Sequence, residues 1–303
     1  MLVVILAATN TIGAIPLFIS MAMRYASNPN ILNELAANPS DLSSLNLNPN
    51  LGLIVMLFPF FVGLITFYLL LKPLNSKSFS RIINGTSSFR WNRFFISAIV
   101  WTLVSAVYLI VSLKQDSSNF ILNNKSVTLV TLSITSILFI PFQAAFEEII
   151  FRGYLMQGFT VLVKNRLFPL IMTSVFFGLM HAFNPEVKDF GFWTMIPQYI
   201  LFGLIFGIIT ILDDGIEAAM GAHAANNIFL CIMVTNESSA LQTPALYEQL
   251  NVYPWSEFKS MLIMGVIIIL ILKLIFKWKD FSILFKKAGH PEKNPQTPYM
   301  DVF

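Results

Sequence analysis

Phe146-Glu147-Glu148-Ile149-Ile150-Phe151-Arg152 places three charged side chains inside an apolar run. Residues 127–145 before it carry no charge, and apolar character resumes at Tyr154 and continues to Val163. An ionisable group at membrane depth is costly, so it is seldom placed there without a function. On a helix, Glu148 and Arg152 are four apart and share a face, which lets them pair. Glu147 is turned about 100° from Glu148 and has no Arg at that spacing. One carboxylate is therefore expected to be held by Arg152 and the other left free for chemistry. The competing reading is an ion triad that only locks helices together.

The surrounding composition fits a membrane. Of 303 residues, 56% are hydrophobic and 12% charged, with mean hydropathy +0.71; a soluble domain carries about 25% charged residues. The expected fold class is all-α, a polytopic membrane protein with a bundle of about eight transmembrane helices. Apolar stretches able to cross about 30 Å of hydrocarbon fall at 2–23, 51–71, 94–113, 127–149, 167–183, 193–212, 216–235 and 259–276. The first lacks a basic leader and a small-residue cleavage site, so it reads as a helix and not a signal peptide. Three parts result: helices and loops over 1–126, a core with the polar motifs over 127–235, and a last helix with a basic tail over 236–303. Residues 31–37 suggest a short helix in an extramembrane loop. The tail from 288, with Pro291, Pro295 and Pro298, reads as disordered. Cys231 is the only cysteine and cannot form an internal disulfide. No basic and aromatic patch of the nucleic-acid-binding kind is present.

Charge orients the bundle. Fourteen of the 19 Lys and Arg residues lie in 72–93, around 152–166 and from 273 onward. An eight-helix arrangement puts all of these on one side. The positive-inside rule then places both termini in the cytoplasm.

Two further polar islands interrupt the apolar helices. One ends at His181, in Phe177-Gly178-Leu179-Met180-His181; the other is His223-Ala224-Ala225-Asn226-Asn227. His290 lies in the tail. A turn near Lys164-Asn165-Arg166 makes spans four and five an antiparallel hairpin. Glu148 lies 17 residues before Asn165 and His181 lies 16 after it, so both sit about 25 Å from the turn. The fourth helix, from Val127 to Val163, would then run about 55 Å. It must tilt, protrude or bend, with Pro141, Gly153 and Gly158 as the candidate places. His223 and Asn227 share one face, whereas Asn226 points about 100° away. Ala218, Ala219, Gly221, Ala222, Ala224 and Ala225 around them permit close helix approach.

A carboxylate beside an imidazole can hold and deprotonate water. A second His and an Asn can stabilise an oxyanion. The set suits hydrolysis of an acyl bond by activated water. No serine or cysteine is placed as a nucleophile, and the zinc-protease pattern His-Glu-x-x-His is absent.

Glu147-Glu148-x-x-x-Arg152, Phe177-x-x-x-His181 and His223-x-x-x-Asn227, in that order on successive helices, resemble the three motifs of the CAAX-processing and bacteriocin-processing family. These are intramembrane endopeptidases related to the type II CAAX prenyl protease. The resemblance covers residues 139–235. It implies that Glu147 and His181 activate water, that His223 and Asn227 form the oxyanion hole, and that Glu148 and Arg152 complete the first motif. The family is often labelled metalloprotease, because Glu147, His181 and His223 offer a zinc set. The expectation is no cofactor, with zinc on those three residues as the alternative. The implied partners are a peptide or protein substrate at the membrane and the lipid bilayer, with no nucleic acid. The alternative function is a non-catalytic peptide-binding or bacteriocin-immunity protein on the same scaffold. A proton-coupled transporter is disfavoured, since no inverted repeat is visible.

The charge pattern makes a topology prediction. With Cys231 replaced, single cysteines in loops 24–50 and 236–258 should be labelled by an impermeant thiol reagent added to intact cells. Those in 72–93, 164–166 and the C-terminal segment should be protected. External labelling of 72–93 would overturn the arrangement.

Overall fold

The computed structural model of the chain describes residues 1–37, 42–86, 88–123 and 126–288. The tail read as disordered falls, from residue 289 and including His290, outside the described residues. Thirteen α-helices run in chain order among the described residues. They are α1 Leu2–Thr11, α2 Ile15–Tyr25, α3 Ile31–Ala37, α4 Pro49–Asn75, α5 Phe79–Ile83, α6 Trp91–Gln115, α7 Ser126–Glu148, α8 Gln157–Val163, α9 Leu167–Met180, α10 Pro185–Phe190, α11 Phe192–Asp213, α12 Glu217–Met233 and α13 Pro254–Phe276. A π-helical stretch, Ile149–Met156, joins α7 to α8.

Among the described residues, six helical stretches are long and apolar enough to cross a membrane: Leu2–Tyr25, Pro49–Asn75, Trp91–Gln115, Leu129–Val163, Phe192–Asp213 and Pro254–Phe276. The chain is a multi-pass membrane protein. The other two of the eight expected spans are helices of lesser reach. Leu167–Met180 is apolar but has 14 residues. Glu217–Met233 has 17 and carries His223, Asn226 and Asn227. The first span is broken. Thr9 and Thr11 bond back to the carbonyls of Leu6 and Ala7, and Gly13 lies so close to Pro59 of α4 that a Cβ would sit 2.7 Å from its Cα.

Of the three places proposed for an irregularity in the long fourth helix, Gly153 lies within the π-helical stretch Ile149–Met156. The helical course continues from Ser126 to Val163, and the irregularity is the wide π turn after Glu148. Wide turns of this kind often mark functional positions in helices.

At the centre is α12. Glu217 to Ala225 are all buried, packed among α6, α7 and α11. The small residues do what their size allows, most sharply at Gly221. There an added Cβ would lie 2.0 Å from the Phe94 carbonyl oxygen of α6. At Gly203 of α11 the same atom would meet the Ser174 Cα of α9 at 2.7 Å.

Segments assigned to one side by charge do gather at one end. Arg90 Nη2 lies 2.6 Å from Glu217 Oε2, and the Asn84 amide also donates to Glu217. Trp278 Nε1 donates to Asp213 Oδ1 at 2.7 Å, and Ala288 N donates to Lys164 O at 3.1 Å. Met1 and Leu2 pack in the same cluster as Ile82 and Leu284. Arg152 departs from the count, since it lies fully buried inside the bundle. At the opposite end the loops form a small sheet that hydropathy did not foretell: β1 Phe120–Leu122, β2 Val234–Thr235 and β3 Tyr247–Gln249, in the order β1-β3-β2. Phe120 pairs with Gln249 antiparallel, and Val234 pairs with Tyr247 in parallel. Packed loops need partners for their amides, and this pairing supplies them.

Two glycines make the packing testable. Gly221→Ala forces a methyl group onto backbone and should cost about 1–3 kcal/mol or more. Gly158→Ala meets nothing within 4 Å and should be neutral or stabilise by about 0.5–1 kcal/mol. Thermal unfolding in detergent reads both. Equal midpoints for the two variants would contradict the α6–α12 contact.

Candidate functional site

Glu148 and Arg152 meet as helix spacing requires, despite the π turn between them. Arg152 Nη1 donates to Glu148 Oε1 at 2.8 Å, and both side chains have zero exposure. Arg152 Nη2 donates to Gly203 O at 3.0 Å. Its guanidinium also lies 4.7 Å from the centre of the Phe177 ring, a cation–π placement. One arginine thereby links the π stretch to α9 and α11.

His223 joins the same carboxylate from α12. Its Nδ1 lies 2.8 Å from Glu148 Oε1. A carboxylate at that oxygen accepts, so Nδ1 carries the proton. The ring stacks on Phe206 at 4.8 Å and 16°. Its other nitrogen, Nε2, lies 3.7 Å from Glu147 Oε2.

Glu147 is turned away from Arg152 and belongs to a different network. Gln143 Nε2 donates to Glu147 Oε1 at 2.7 Å. Asn227 Nδ2 donates to Gln143 Oε1 at 2.9 Å. Asn226 Nδ2 donates to Asn227 Oδ1 at 2.9 Å, and Trp101 Nε1 donates to Asn226 Oδ1 at 3.2 Å. Glu147 Oε2 is buried and has no hydrogen-bond partner. Glu148 Oε2 and Arg152 Nε are likewise buried without one, but only Glu147 Oε2 faces His223 Nε2.

His181 caps α9. Its Nδ1 lies 2.7 Å from Phe177 O. A carbonyl only accepts, so Nδ1 donates and the neutral ring keeps its lone pair on Nε2. The ring stacks on Tyr199 at 4.2 Å and 14°. The Tyr199 hydroxyl accepts from Asn184 Nδ2 at 3.0 Å. Next to this, burial raises the Glu186 carboxyl above its ordinary range, while Glu186 Oε1 accepts from Ala240 N at 2.9 Å. Phe177 stands between the two histidines, 4.8 Å from the His181 ring and 5.9 Å from that of His223. His181 is electrostatically coupled to Glu147, His223 and Arg152. Its hydrogen bond goes to its own helix and not to a carboxylate.

Glu147, Glu148, Arg152, His223 and Asn227 thus form one connected buried cluster, with His181 at its edge. Sequence reasoning overlooked Gln143, Trp101 and Tyr199. It also set Asn226 aside as pointing elsewhere, although that side chain holds Asn227. Gln143 had a signal, since it stands four residues before Glu147 and so on the same helical face. Trp101 and Tyr199 sit in apolar helices where nothing distinguishes them from packing residues.

The zinc alternative meets a poor donor set. Among the described residues no three His, Cys, Asp or Glu side chains converge into a group that could hold a metal. Gln143 holds one Glu147 oxygen and Glu148 the Nδ1 of His223, so Glu147 Oε2 and His223 Nε2 are the atoms these two residues would offer a metal.

Comparison with known proteins finds similarity over the segment that carries this cluster. The chain is 32% identical over 173 residues to YyaK of Bacillus subtilis (strain 168), a protein described as uncharacterized; the match covers 57% of this chain and 58% of that one. The aligned part therefore spans under two thirds of the relative. No solved structure matches the chain. The family model described as type II CAAX prenyl endopeptidase Rce1-like matches residues 126–229, which contain all three motifs. The helical block from residue 126 to residue 229 is thus similar to the Rce1-like type II CAAX prenyl endopeptidases.

Proposed function

We propose that the protein is an intramembrane endopeptidase that hydrolyses a peptide bond in a membrane-associated substrate, with Glu147 as general base. One observation carries this reading. Glu147 Oε2 is buried without a hydrogen-bond partner and faces His223 Nε2 at 3.7 Å. The matched family is one of endopeptidases, and its segment includes every residue used here.

In the proposed reaction a water takes the open valence of Glu147 and donates a hydrogen bond to Oε2. His181 accepts another through the lone pair on Nε2. As the water oxygen attacks the scissile carbonyl, its proton passes to Glu147. The carbonyl oxygen becomes an oxyanion beside His223 and Asn227. Asn227 has a second amide N–H beyond the one given to Gln143. His223 can donate through Nε2 only as an imidazolium, because its other proton faces Glu148. When the tetrahedral intermediate collapses, Glu147 returns its proton to the departing amine, and the C–N bond breaks. Each step uses side chains of this chain, and none is routed through a metal. Both termini are proposed to be cytoplasmic.

Variants separate chemistry from scaffolding. Glu147→Gln keeps size and hydrogen bonding but cannot take a proton at neutral pH. It should abolish cleavage, read as disappearance of product peptides from the host's membrane fraction by mass spectrometry, while protein level holds. Full activity in this variant would return the protein to the peptide-binding reading. Asn227→Ala should leave residual cleavage, slower by about 10²–10³. Added zinc restoring a lost activity would favour the metal alternative.

Arg152→Ala should behave differently. It strands Glu148 in a low-dielectric site and should cost about 3–5 kcal/mol of stability, seen as a lowered unfolding midpoint in detergent. An unchanged midpoint would show that the pair is not holding the helices.

A further inference from the structure

The amide chain behind Glu147 has a direction forced by chemistry. Trp101 Nε1 is a donor only, so Asn226 must turn its oxygen toward it, at 3.2 Å. The Asn226 amide nitrogen then faces Asn227, which must present its oxygen, at 2.9 Å. The Asn227 nitrogen faces Gln143 Oε1 at 2.9 Å, and Gln143 Nε2 reaches Glu147 Oε1 at 2.7 Å. Flipping any one amide would oppose donor to donor at one end and acceptor to acceptor at the other. The chain therefore starts at an obligate donor and ends at a carboxylate. It spans three helices, from α6 through α12 to α7. Its first member, Trp101, is 2% exposed and lies outside the family-matched segment 126–229.

We infer that Gln143, oriented by Asn227, Asn226 and Trp101, is the positioning residue that fixes the Glu147 carboxylate and leaves Oε2 as its one proton-accepting oxygen. Oε1 is occupied by a short bond to an amide that cannot rotate without breaking the bond behind it. Oε2 has no partner and faces His223. Without the chain, rotation about the last carboxylate torsion would exchange the two oxygens, since that torsion is broad and roughly two-fold. Asn227 then has two tasks: one N–H orients the base through Gln143, and the other remains for the oxyanion. Positioning of Glu147 as the base rests on the endopeptidase reading; the orientation of its carboxylate does not.

Infrared spectroscopy tests the orientation without a substrate. The full-length protein, labelled with ¹³C-carboxyl glutamate, is measured in detergent. The Glu147 band is isolated as the difference between wild type and Glu147→Gln. Gln143→Met, similar in size but unable to hydrogen-bond, should shift that band. Trp101→Phe removes only the first donor, two amides further back on another helix, and should shift it in the same sense by less. Ser97→Ala, a buried α6 hydroxyl outside the chain, should not shift it. A Glu147 band unmoved in both Gln143→Met and Trp101→Phe overturns the inference. So does a band that Ser97→Ala moves as much as Trp101→Phe.

A kinetic arm uses the peptides released in the host membrane fraction. Gln143→Met should lower kcat about 10- to 100-fold, the scale of a lost hydrogen bond to a charged group, with KM little changed. Unchanged kcat in Gln143→Met beside an inactive Glu147→Gln overturns the positioning role while leaving the endopeptidase reading intact. Full activity in Glu147→Gln removes the endopeptidase reading, and the infrared result then decides the orientation by itself.

Discussion

The interaction on which the rest depends is the fully buried pair of Glu148 and Arg152. Two charges removed from water carry a desolvation cost that their mutual attraction and further hydrogen bonds must offset. Here several partners come from other helices: His223 of α12 donates to Glu148, the Gly203 carbonyl of α11 accepts from Arg152, and Phe177 of α9 lies under the guanidinium, while Glu148 Oε2 and Arg152 Nε have no hydrogen-bond partner. The pair thus demands four helical elements at fixed distances. Gly203 explains how α11 comes near enough. Its missing side chain lets the helix close on Ser174 of α9, so its carbonyl can serve as a ligand for the arginine.

Two adjacent glutamates have separate environments because neighbouring positions on a helix diverge by about 100°. Glu148 faces the ionic partners and Glu147 faces amides. A guanidinium holds the first as a structural anion. The second has one oxygen bound by a neutral amide; each carboxylate keeps one oxygen without a hydrogen-bond partner, and that of Glu147 faces His223 Nε2. The same division of labour arises wherever two carboxylates sit in unlike surroundings, one fixed and one available. The π turn that begins at Ile149 directly follows this pair, at the place where the regular helix would otherwise have run on unaltered.

The polar content of the bundle is concentrated in two places. One is the site. The other is the clamp at the start of α12, where Arg90, Asn84 and Trp278 converge on Glu217 and Asp213. Both involve α12, whose first turn supplies Glu217 and whose middle supplies His223. The clamp fixes the start of α12 against the α5–α6 connection, and its small residues fix the depth at which it enters α6. A helix held at both levels can present His223 and Asn227 at one rotation only.

The sequence by itself determined the membrane class, the helical segments, the pairing of Glu148 with Arg152 and the short helix at 31–37. All follow from hydropathy or from the 3.6-residue period, which are local properties. It also grouped 72–93, 164–166 and the C-terminal segment on one side, and the contacts bring them to one end. Arg152 was miscounted there because charge counting cannot tell a loop residue from a buried one. Gln143 was within reach, four residues from Glu147, and was passed over because it carries no charge. Tertiary structure alone decided the rest. Which nitrogen of His223 meets which glutamate, the turning of Asn226 onto Asn227, the stacking of Tyr199 on His181 and the arrival of Trp101 depend on helix rotation and crossing. Those are set by close contacts such as Gly221 on Phe94 and Gly203 on Ser174. The three-stranded sheet joins residues more than a hundred positions apart, a pairing that no local pattern encodes.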